Sequence, residues 1–185
     1  MEREFLVIKF SESFMSFELH FYALLDDWRA NQGNTRGRVI VLLFRLGRMS
    51  NCFPWAIRFF LMPIRIAYSF IVRYLMCVDI SLHSNIGGGL RVFHGMGLVI
   101  HPDVIIGRNC ILRQGVTIGE RRTGSADVPT IGNDVEFGCN SIVLGSIVIG
   151  DGAQIGAGAI VIKSVPKLGV AFGNASKIVR IREHL

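Results

Sequence analysis

IGNDVEFGCNSIVLGSIVIGDGAQIGAGAIVIKSV, residues 131–165, places a large apolar residue at every sixth position. Four residues after each of these positions stands a second residue, mostly smaller, that is also compatible with burial. The first series is Ile131, Phe137, Val143, Ile149, Ile155 and Val161, and the second is Val135, Ser141, Ile147, Ala153, Ala159 and Val165. An α-helix repeats about every 3.6 residues and a free strand about every 2, so a sustained period of six fits neither. It predicts a coil of short parallel strands, in which each turn buries its apolar side chains by stacking on the next.

The same period extends upstream, where it is interrupted twice. One series at Ile80, Ile86 and Val92 reaches Ile100 only after a step of 8, and the later step from Ile118 to Ile131 is 13. These steps predict a two-residue bulge around residues 93–97 and a protruding loop over residues 119–130. Because a regular coil is a scaffold, residues at its interruptions are candidates for function.

Composition divides the chain near Cys77. Only three of the 21 glycines precede residue 78, and tight coil corners favour glycine because it tolerates a positive φ. We therefore predict a mainly β protein with an N-terminal α-helical domain over residues 1–77. A parallel β-helix would follow over residues 78–169, and a C-terminal tail over residues 170–185.

Charge and cysteine usage limit the partners and the compartment. The net charge of +6 is spread over both parts of the chain, and no Lys/Arg cluster comes with a recognition motif. This argues against a nucleic-acid partner and leaves an anionic small ligand or a membrane surface. Four cysteines lie far apart, and Cys110 occupies an inward coil position, which indicates a reduced, cytoplasmic protein. No secretory signal is visible, since Glu2 and Glu4 interrupt the basic start that such a signal needs.

Three helices are predicted before the coil, over residues 17–31, 37–49 and 55–76, the last broken at Pro63. Arginines interrupt the third helix, and no run in it approaches the roughly 20 apolar residues that a bilayer span needs. Two interpretations of the whole helical domain remain. One is a soluble module that packs on the coil and on neighbouring subunits, with its arginines on the outer face. The other is a basic amphipathic surface that rests on the cytoplasmic face of an anionic membrane.

The first interruption of the coil contains His94. Neutral imidazole accepts a proton near pH 7, and a carboxylate that fixes its tautomer improves it as a general base. Asp79 precedes His94 by just under one coil of three six-residue sides, so the two side chains could face each other across adjacent coils. A lone histidine in a glycine turn is also compatible with a structural role. His83 and His101 are rival candidates.

Several motifs carry a resemblance to a known family. Aliphatic-glycine pairs recur at Ile118-Gly119, Ile131-Gly132, Ile149-Gly150 and Ile155-Gly156, and Gly-Ala-Gly-Ala fills residues 156–159. Over residues 78–180 the chain resembles the hexapeptide-repeat acyltransferases, most closely serine acetyltransferases and their relatives in capsule and exopolysaccharide biosynthesis. Residues 27–31, Asp-Trp-Arg-Ala-Asn, resemble the N-terminal helices of the polysaccharide branch. The resemblance implies a left-handed β-helix, a homotrimer or dimer of trimers with active sites between subunits, and acetyl transfer from acetyl-CoA without a metal.

The resemblance also implies roles for individual residues. His94 matches the family's catalytic histidine and Asp79 its carboxylate partner, so His94 would deprotonate an acceptor hydroxyl that attacks the thioester. The residues implied to bind acetyl-CoA are Gly119, Arg121, Arg122, Cys139, Ala157, Gly158, Lys163 and Lys177, the last in the tail that completes the site. Small residues admit the pantetheine arm, and cations suit the CoA phosphates. Coil corners and surface solubility are alternative explanations for these residues.

The chain departs from serine acetyltransferases where they bind their amino acid. Phe93 replaces an acidic residue before the histidine, Asp127 and Val128 replace an Arg-His pair, and Asn34 or Thr35 replaces a further acidic residue. An amino-acid carboxylate binds tightly to a cation such as Arg, so these changes argue against L-serine. We predict a carbohydrate acceptor, a unit or precursor of a bacterial surface polysaccharide. Phe93, Asp127 and Val128 would contact it, with the Phe93 ring stacked on a sugar.

Three alternatives remain open at this point. The first is a serine acetyltransferase with a rearranged acceptor pocket, and the second is a non-catalytic trimeric scaffold. The third is a metal-dependent enzyme such as the carbonic anhydrases of this fold, which would need His83, His94 and His101 to converge.

Overall fold

The computed structural model describes the backbone of residues 2–174 and 177–181 and the side chains of residues 15 and 17–174. The helices are α1 (Glu2–Ala30), α2 (Thr35–Met49), a 3₁₀ helix (Ser50–Cys52), α3 (Trp55–Phe60), α4 (Met62–Ala67) and a π-helix (Tyr68–Leu75). Helix α1 begins well before its predicted start at residue 17, because no Gly or Pro interrupts residues 2–16. The predicted break of the third helix is confirmed. It falls at Leu61, so that Pro63 lies in the first turn of α4, where its missing N–H costs no hydrogen bond.

Short strands form the rest of the molecule. They are β1 (Val78–Ile80), β2 (Asn85–Ile86), β3 (Arg91–Val92), β4 (Leu98–Ile100), β5 (Ile105–Ile106), β6 (Ile111–Leu112), β7 (Thr117–Gly119), β8 (Thr130–Ile131), β9 (Glu136–Phe137), β10 (Ile142–Leu144), β11 (Val148–Ile149), β12 (Gln154–Ile155), β13 (Ile160–Val161), β14 (Gly169–Phe172) and β15 (Lys177–Ile181). Sheet A contains β1, β4, β7, β10 and β13, and sheet B contains β2, β5, β8 and β11. Sheet C contains β3, β6, β9, β12 and β14, to which β15 adds antiparallel. Successive strands within a sheet are one coil apart, so the predicted parallel β-helix is confirmed.

The period of six marks the core of this coil. All members of the two series in residues 131–165 are buried, as are their upstream counterparts from Ile80 to Ile118. Cys110 fills one of the smaller inward positions, as predicted, and burial raises the pKa of its thiol to about 11. The thiol therefore stays protonated at neutral pH and packs as a small apolar group.

Strand register confirms both predicted interruptions. Ile80 pairs with Ile100 and Ile100 with Ile118, so the first coil is two residues longer than the second. Ile118 then pairs with Val143 and Val143 with Val161, so the third coil is seven residues longer than the fourth. Because the flanking strands stay in register, each insertion projects from the coil without disturbing its core.

The helices close the open edge of the first coil with buried side chains. Asp27 and Arg45 form an ion pair with both side chains fully buried, in which Arg45 Nε lies 2.7 Å from Asp27 Oδ2. Asp27 also accepts from the Leu90 N–H at 2.8 Å, and Arg45 donates to the Ile86 carbonyl at 2.8 Å and the Gly87 carbonyl at 2.5 Å. Removing one partner of such a pair typically costs about 3–5 kcal/mol, because the other charge stays buried and unpaired.

Three further side chains extend this closure along β3 and β1. Asn31 donates to the Leu90 carbonyl and accepts from the Val92 N–H, at 2.8 and 3.1 Å. Asn34 donates to the Val92 carbonyl at 2.7 Å. Tyr68 donates to a carbonyl of β1, and burial raises the pKa of its hydroxyl well above the usual range, so it remains a donor. The first strands are therefore held by helical side chains in place of a preceding coil.

The outer face of the last helices differs from the prediction made for a soluble module. Two of its three arginines do not line the outside: Arg58 and Arg65 are half-buried and both donate to Asn51 Oδ1, Arg58 at 2.8 Å, whereas Arg73 is exposed and pairs with Asp79. Large apolar side chains, including Phe59 and Phe70, occupy the outer face. The guanidinium groups turn inward because the seam with the 3₁₀ helix offers them an amide oxygen. In the described part of the chain, no helix is long and apolar enough to cross a membrane.

Candidate active site

Two edges of the coil flank sheet A, and the predicted site residues divide between them. The histidine edge joins sheet C to sheet A and comprises residues 93–97, 113–116, 138–141 and 156–159. The loop edge joins sheet A to sheet B and comprises residues 81–84, 101–104, 120–129, 145–147 and 162–164. His94, Cys139, Ala157 and Gly158 lie on the first edge, and Arg121, Arg122, Asp127, Val128 and Lys163 lie on the second. A single chain therefore does not bring all of the predicted residues together.

His94 lies at the tip of the two-residue bulge. Its φ is 61°, in the left-handed region, and Gly95 and Gly97 also have positive φ values of 64° and 71°. A Cβ at Gly95 would come within 2.9 Å of Ile40 Cδ1, so the turn sits directly on helix α2. The Gly97 N–H donates to the Cys77 carbonyl at 2.8 Å and ties the turn to the start of sheet A. This geometry holds the backbone firmly while the imidazole is exposed to solvent.

Asp79 lies on the adjacent coil, with its side chain on the outer face of sheet A. It pairs in register with Val99, and its Oδ1 lies 3.0 Å from the Arg73 guanidinium. Cys77, two residues before it, receives the hydrogen bond from the His94 turn. Asp79 and His94 are therefore on neighbouring coils, but among the described side chains the carboxylate is bonded to Arg73 and not to the imidazole.

A groove of about 580 Å³ runs between the helices and sheet A. Its helical wall contains Arg65, Tyr68, Ser69 and Arg73, and its coil wall includes Asp79, Ser81, His83, His101, Thr117, Gly119 and Glu120. The two rival histidines thus share this groove with Asp79, while His94 lies on the other edge. Among the side chains that the structure describes, no three His, Cys, Asp or Glu groups converge in a way that could hold a metal ion.

The histidine edge continues above His94 as a strip of small residues. At the matching position of each corner one residue is left-handed, with φ between 57° and 71°; these residues are Gly97, Gly115, Asn140 and Gly158. The Gly158 N–H donates to the Cys139 carbonyl at 2.8 Å, which stacks the fourth coil on the third. Ala157 is exposed, and a Cβ at Gly158 would meet no atom within 4 Å. An open strip of this kind fits a pantetheine arm, which needs close access to the backbone.

The loop edge carries the seven-residue insertion. The Glu120 carboxylate accepts from the backbone N–H of Gly124 at 2.9 Å and of Ser125 at 3.2 Å, so one side chain organises the loop. Arg121 crosses the following coils and donates to the Ile162 carbonyl at 2.9 Å. Arg122 remains exposed.

The other predicted residues near the loop edge differ in how far they are exposed. Gly119 ends strand β7 beside His101, whose Cβ is 3.5 Å from the position of a Cβ at Gly119. Asp127 and Lys163 are exposed, whereas Val128 is partly buried and packs on the core. The side chain of Lys177 lies outside the described residues. The loop edge therefore presents cations together with the exposed carboxylates of Asp103 and Asp127.

Phe93 has partners that the sequence did not indicate. The guanidinium carbons of Arg91 and Arg113 lie 5.8 and 5.3 Å from the centre of its ring. Arg91 also donates to the Ala30 carbonyl at 2.6 Å, and Arg113 to Glu136 at 2.9 Å. Arg113 stands one coil after Phe93 in the register that pairs β3 with β6, so counting coils would have placed it there. Beside His94 the protein thus presents an aromatic ring flanked by two cations.

Sequence comparisons agree with this architecture. Residues 129–163 match the family model described as bacterial transferase hexapeptide (six repeats). The chain is 32% identical over 164 residues to the putative colanic acid biosynthesis acetyltransferase WcaB of Escherichia coli K12, a match covering 86% of this chain and 100% of that protein. It is 36% identical over 113 residues to the serine acetyltransferase of Synechococcus elongatus, covering 60% of this chain and 46% of that protein.

Structural comparison gives the same result. The fold matches the soybean serine acetyltransferase apoenzyme with a TM-score of 0.71 and 28% identity, covering 91% of this chain and 72% of that one. The likeness extends over helices and coil, and it supports the left-handed sense predicted for the β-helix. The chain therefore belongs to the bacterial hexapeptide-repeat transferase family, as an acyl-CoA-dependent acetyltransferase related both to WcaB and to serine acetyltransferases.

Proposed function

We propose that this acetyltransferase moves an acetyl group from acetyl-CoA to a hydroxyl of a carbohydrate, a unit or precursor of a surface polysaccharide. The observation that carries the proposal is the extent of the match to the acetyltransferase named for colanic acid biosynthesis. That match covers 86% of this chain, which is more than residues 78–185 contain, so it reaches into the helices. The match to the Synechococcus serine acetyltransferase covers less than half of that enzyme.

The surroundings of His94 support a carbohydrate acceptor. Phe93 places an aromatic ring next to the histidine, with the guanidinium carbons of Arg91 and Arg113 lying 5.8 and 5.3 Å from its centre. The face of an aromatic ring packs well on the C–H groups of a sugar, whereas a free amino acid needs charged partners for both its ammonium and its carboxylate. Asp127, exposed on the loop, would accept hydrogen bonds from sugar hydroxyls, and the partly buried Val128 would support the loop behind it.

The proposed mechanism is a direct transfer. The His94 imidazole, in its neutral form, takes the proton of the acceptor hydroxyl as the hydroxyl oxygen bonds to the thioester carbonyl carbon. Backbone N–H groups stabilise the resulting oxyanion. The C–S bond then breaks, the ester is released, and the imidazolium returns its proton to the leaving CoA thiolate. An imidazole on an exposed, firmly held turn is suited to both proton transfers, because it meets the acceptor without a large rearrangement of the backbone.

Asp79 would orient His94 in this mechanism. Its carboxylate lies on the coil next to the His94 turn, and its Oδ1 is held 3.0 Å from Arg73. A carboxylate with two oxygens accepts from Arg73 and from an imidazole N–H at once. We therefore assign Arg73 the role of holding Asp79 in place, and Asp79 that of stabilising the imidazolium.

The division of predicted residues between two edges supports an active site between subunits. Cys139, Ala157 and Gly158 on the histidine edge would receive the pantetheine arm. Arg121, Arg122 and Lys163 on the loop edge of an adjacent copy would meet the CoA phosphates together with the tail residue Lys177. The histidine edge and the loop edge flank sheet A, which is one of the three sides of the coil. When copies of the chain pack around a threefold axis, the histidine edge of one copy is brought to the loop edge of the next. We propose a homotrimer, alone or paired into a dimer of trimers, in the cytoplasm, where acetyl-CoA is available.

The proposal is tested with acetyl-CoA and a panel of nucleotide sugars and surface-polysaccharide oligosaccharides. Released CoA thiol is measured together with the mass of the carbohydrate. We expect saturable turnover with at least one carbohydrate, a mass gain of one acetyl group, and loss of that group in mild alkali, as for an ester. L-Serine is assayed in parallel as the acceptor of the alternative function. Saturable turnover with serine alone would identify a serine acetyltransferase, and no acetyl-CoA binding by calorimetry would identify a scaffold.

A further inference from the structure

Large apolar side chains form a continuous exposed stripe along the last helices. Each of them is between 52% and 83% exposed. The stripe, called the aromatic stripe below, consists of Trp55, Phe59, Phe60, Met62, Ile66, Phe70 and Tyr74. Apart from Phe60, its members from Phe59 to Tyr74 recur at steps of three or four residues, which places them on one side of α3, α4 and the π-helix. An exposed apolar surface of this extent on a globular domain marks a contact site.

The orientation of the stripe is fixed by the opposite side of the same helices. Tyr68 and Val72 are buried against the coil, and the Tyr68 hydroxyl is bonded to the carbonyl of Ile80 in strand β1. Arg73 is tied to Asp79 of β1 as well. Because the inner side is committed to the coil, the stripe cannot turn inward, and no side chain that the structure describes covers it.

Charge distinguishes between the possible partners. Residues 28–78 contain eight arginines, no lysine and no acidic residue. The arginines are Arg29, Arg36, Arg38, Arg45, Arg48, Arg58, Arg65 and Arg73. Only Arg45 and Arg73 form ion pairs with a carboxylate among the described side chains, to Asp27 and Asp79. A second copy of this segment would bring like charges together, whereas an anionic surface neutralises them.

We propose that the aromatic stripe is a membrane-binding surface that inserts into the interface of an anionic lipid leaflet. The aromatic side chains would lie at the boundary between headgroups and acyl chains, where Trp and Tyr are favoured. The excess of arginines in residues 28–78 would attract the anionic headgroups. The helices stay bound to the coil, so the contact is peripheral. This inference does not depend on the identity of the acceptor.

Vesicle binding by the full chain tests the proposal. Flotation is compared on phosphatidylcholine vesicles with and without phosphatidylglycerol, at low and high salt. We expect binding that requires phosphatidylglycerol and weakens with salt. The triple variant Phe59→Ser/Ile66→Ser/Phe70→Ser should bind at least about tenfold more weakly, because three large apolar side chains no longer enter the interface. The matched control, Ile105→Ser/Val148→Ser, changes exposed apolar residues on sheet B and should bind like the wild type.

A second measurement keeps the proposal testable if the triple variant folds poorly. The chain contains two tryptophans, so Trp28→Phe leaves Trp55 of the stripe as a single fluorescent reporter. Anionic vesicles should shift Trp55 emission to the blue and protect it from iodide. Absence of both effects, or failure of the wild type to float at low salt, would overturn the proposal. So would a change in oligomeric mass on mutation of the stripe without any vesicle binding, because the stripe would then be a contact between copies.

Discussion

The two edges that flank sheet A are built on different principles. The histidine edge repeats a left-handed residue at the matching position of every corner, and each of these residues hydrogen-bonds to the coil below it. The loop edge contains the seven-residue insertion, which depends on the Glu120 carboxylate for its internal order. A rigid edge is suited to the groups that react, and a loop is suited to contacts that differ between substrates. Under the proposed function, chemistry and recognition would be separated within one chain and would meet between two chains.

The largest effect is expected for His94→Asn. Asparagine tolerates the left-handed conformation of residue 94, so stability should change by no more than about 0.5 kcal/mol. Turnover should fall by about 10²- to 10⁴-fold, the usual contribution of a general base, with acetyl-CoA binding retained. Thiol release and calorimetry measure the two quantities. The matched variant is His83→Asn on the loop edge, and loss of turnover in that variant instead would assign the base to the groove.

Mixed oligomers test whether the two edges meet between chains. His94→Asn subunits are mixed with Arg121→Glu/Arg122→Glu subunits, after dissociation and reassembly, and assayed at low acetyl-CoA. If each site takes one edge from each of two neighbours, about a quarter of the sites in an equal mixture combine two intact edges. We therefore expect the mixture to show about a quarter of the wild-type activity. A mixture that stays as inactive as its two parents would place both edges of a site in the same chain.

A smaller effect is expected when the loop is loosened. Glu120→Gln removes the charged acceptor for two backbone N–H groups, which costs about 1 kcal/mol locally. We expect the KM for acetyl-CoA to rise by about two- to tenfold with kcat little changed, because the loop contributes binding and not proton transfer. Asp134→Asn, on the edge between sheets B and C, is the control and should leave both constants unchanged. A fall in kcat alone for Glu120→Gln would argue against a binding role for the loop.

The smallest effect is expected when one glycine on each edge is replaced by alanine. Gly158 and Gly124 have φ values of 68° and 76°, and a Cβ at either position would meet no atom within 4 Å. Alanine at either site should therefore cost about 1–2 kcal/mol for the left-handed backbone alone. Gly158→Ala should weaken acetyl-CoA binding more than Gly124→Ala does, since its methyl group would lie in the strip proposed for the pantetheine arm. Equal KM values for acetyl-CoA in the two variants would contradict this placement of the pantetheine arm.

The coil was predictable because its information is local and repeated. Each inward position lies six residues from the next, and a step of 8 or 13 was enough to locate the bulge at His94 and the loop after Ile118. The division of the site between two edges follows from the same counting, since every strand and corner has a fixed place in the period. Handedness was not predictable in this way, because a period carries no chirality.

The helical segment was less predictable because its contacts are distant and specific. No periodicity links Asp27 to Arg45, or Arg73 to Asp79, and neither pair follows from helix propensity. The outer face was predicted to hold arginines, yet the seam with Asn51 draws Arg58 and Arg65 inward and leaves aromatic side chains outside. Such choices depend on which acceptors the tertiary structure offers, and a single sequence does not show them.

The closure of the first coil has a consequence for self-association. A parallel β-helix ends in a strand whose backbone N–H and C=O groups would accept another coil, and chains that stack in this way grow into fibrils. Here Asp27, Asn31 and Asn34 already bind those groups in and around β3, Arg45 binds two at the end of β2, and Tyr68 binds one in β1. We expect the variant Asp27→Ala to form particles that scatter light and bind thioflavin T, while the wild type stays dispersed. The helices would then act as a cap that keeps the coils of different molecules from stacking end to end.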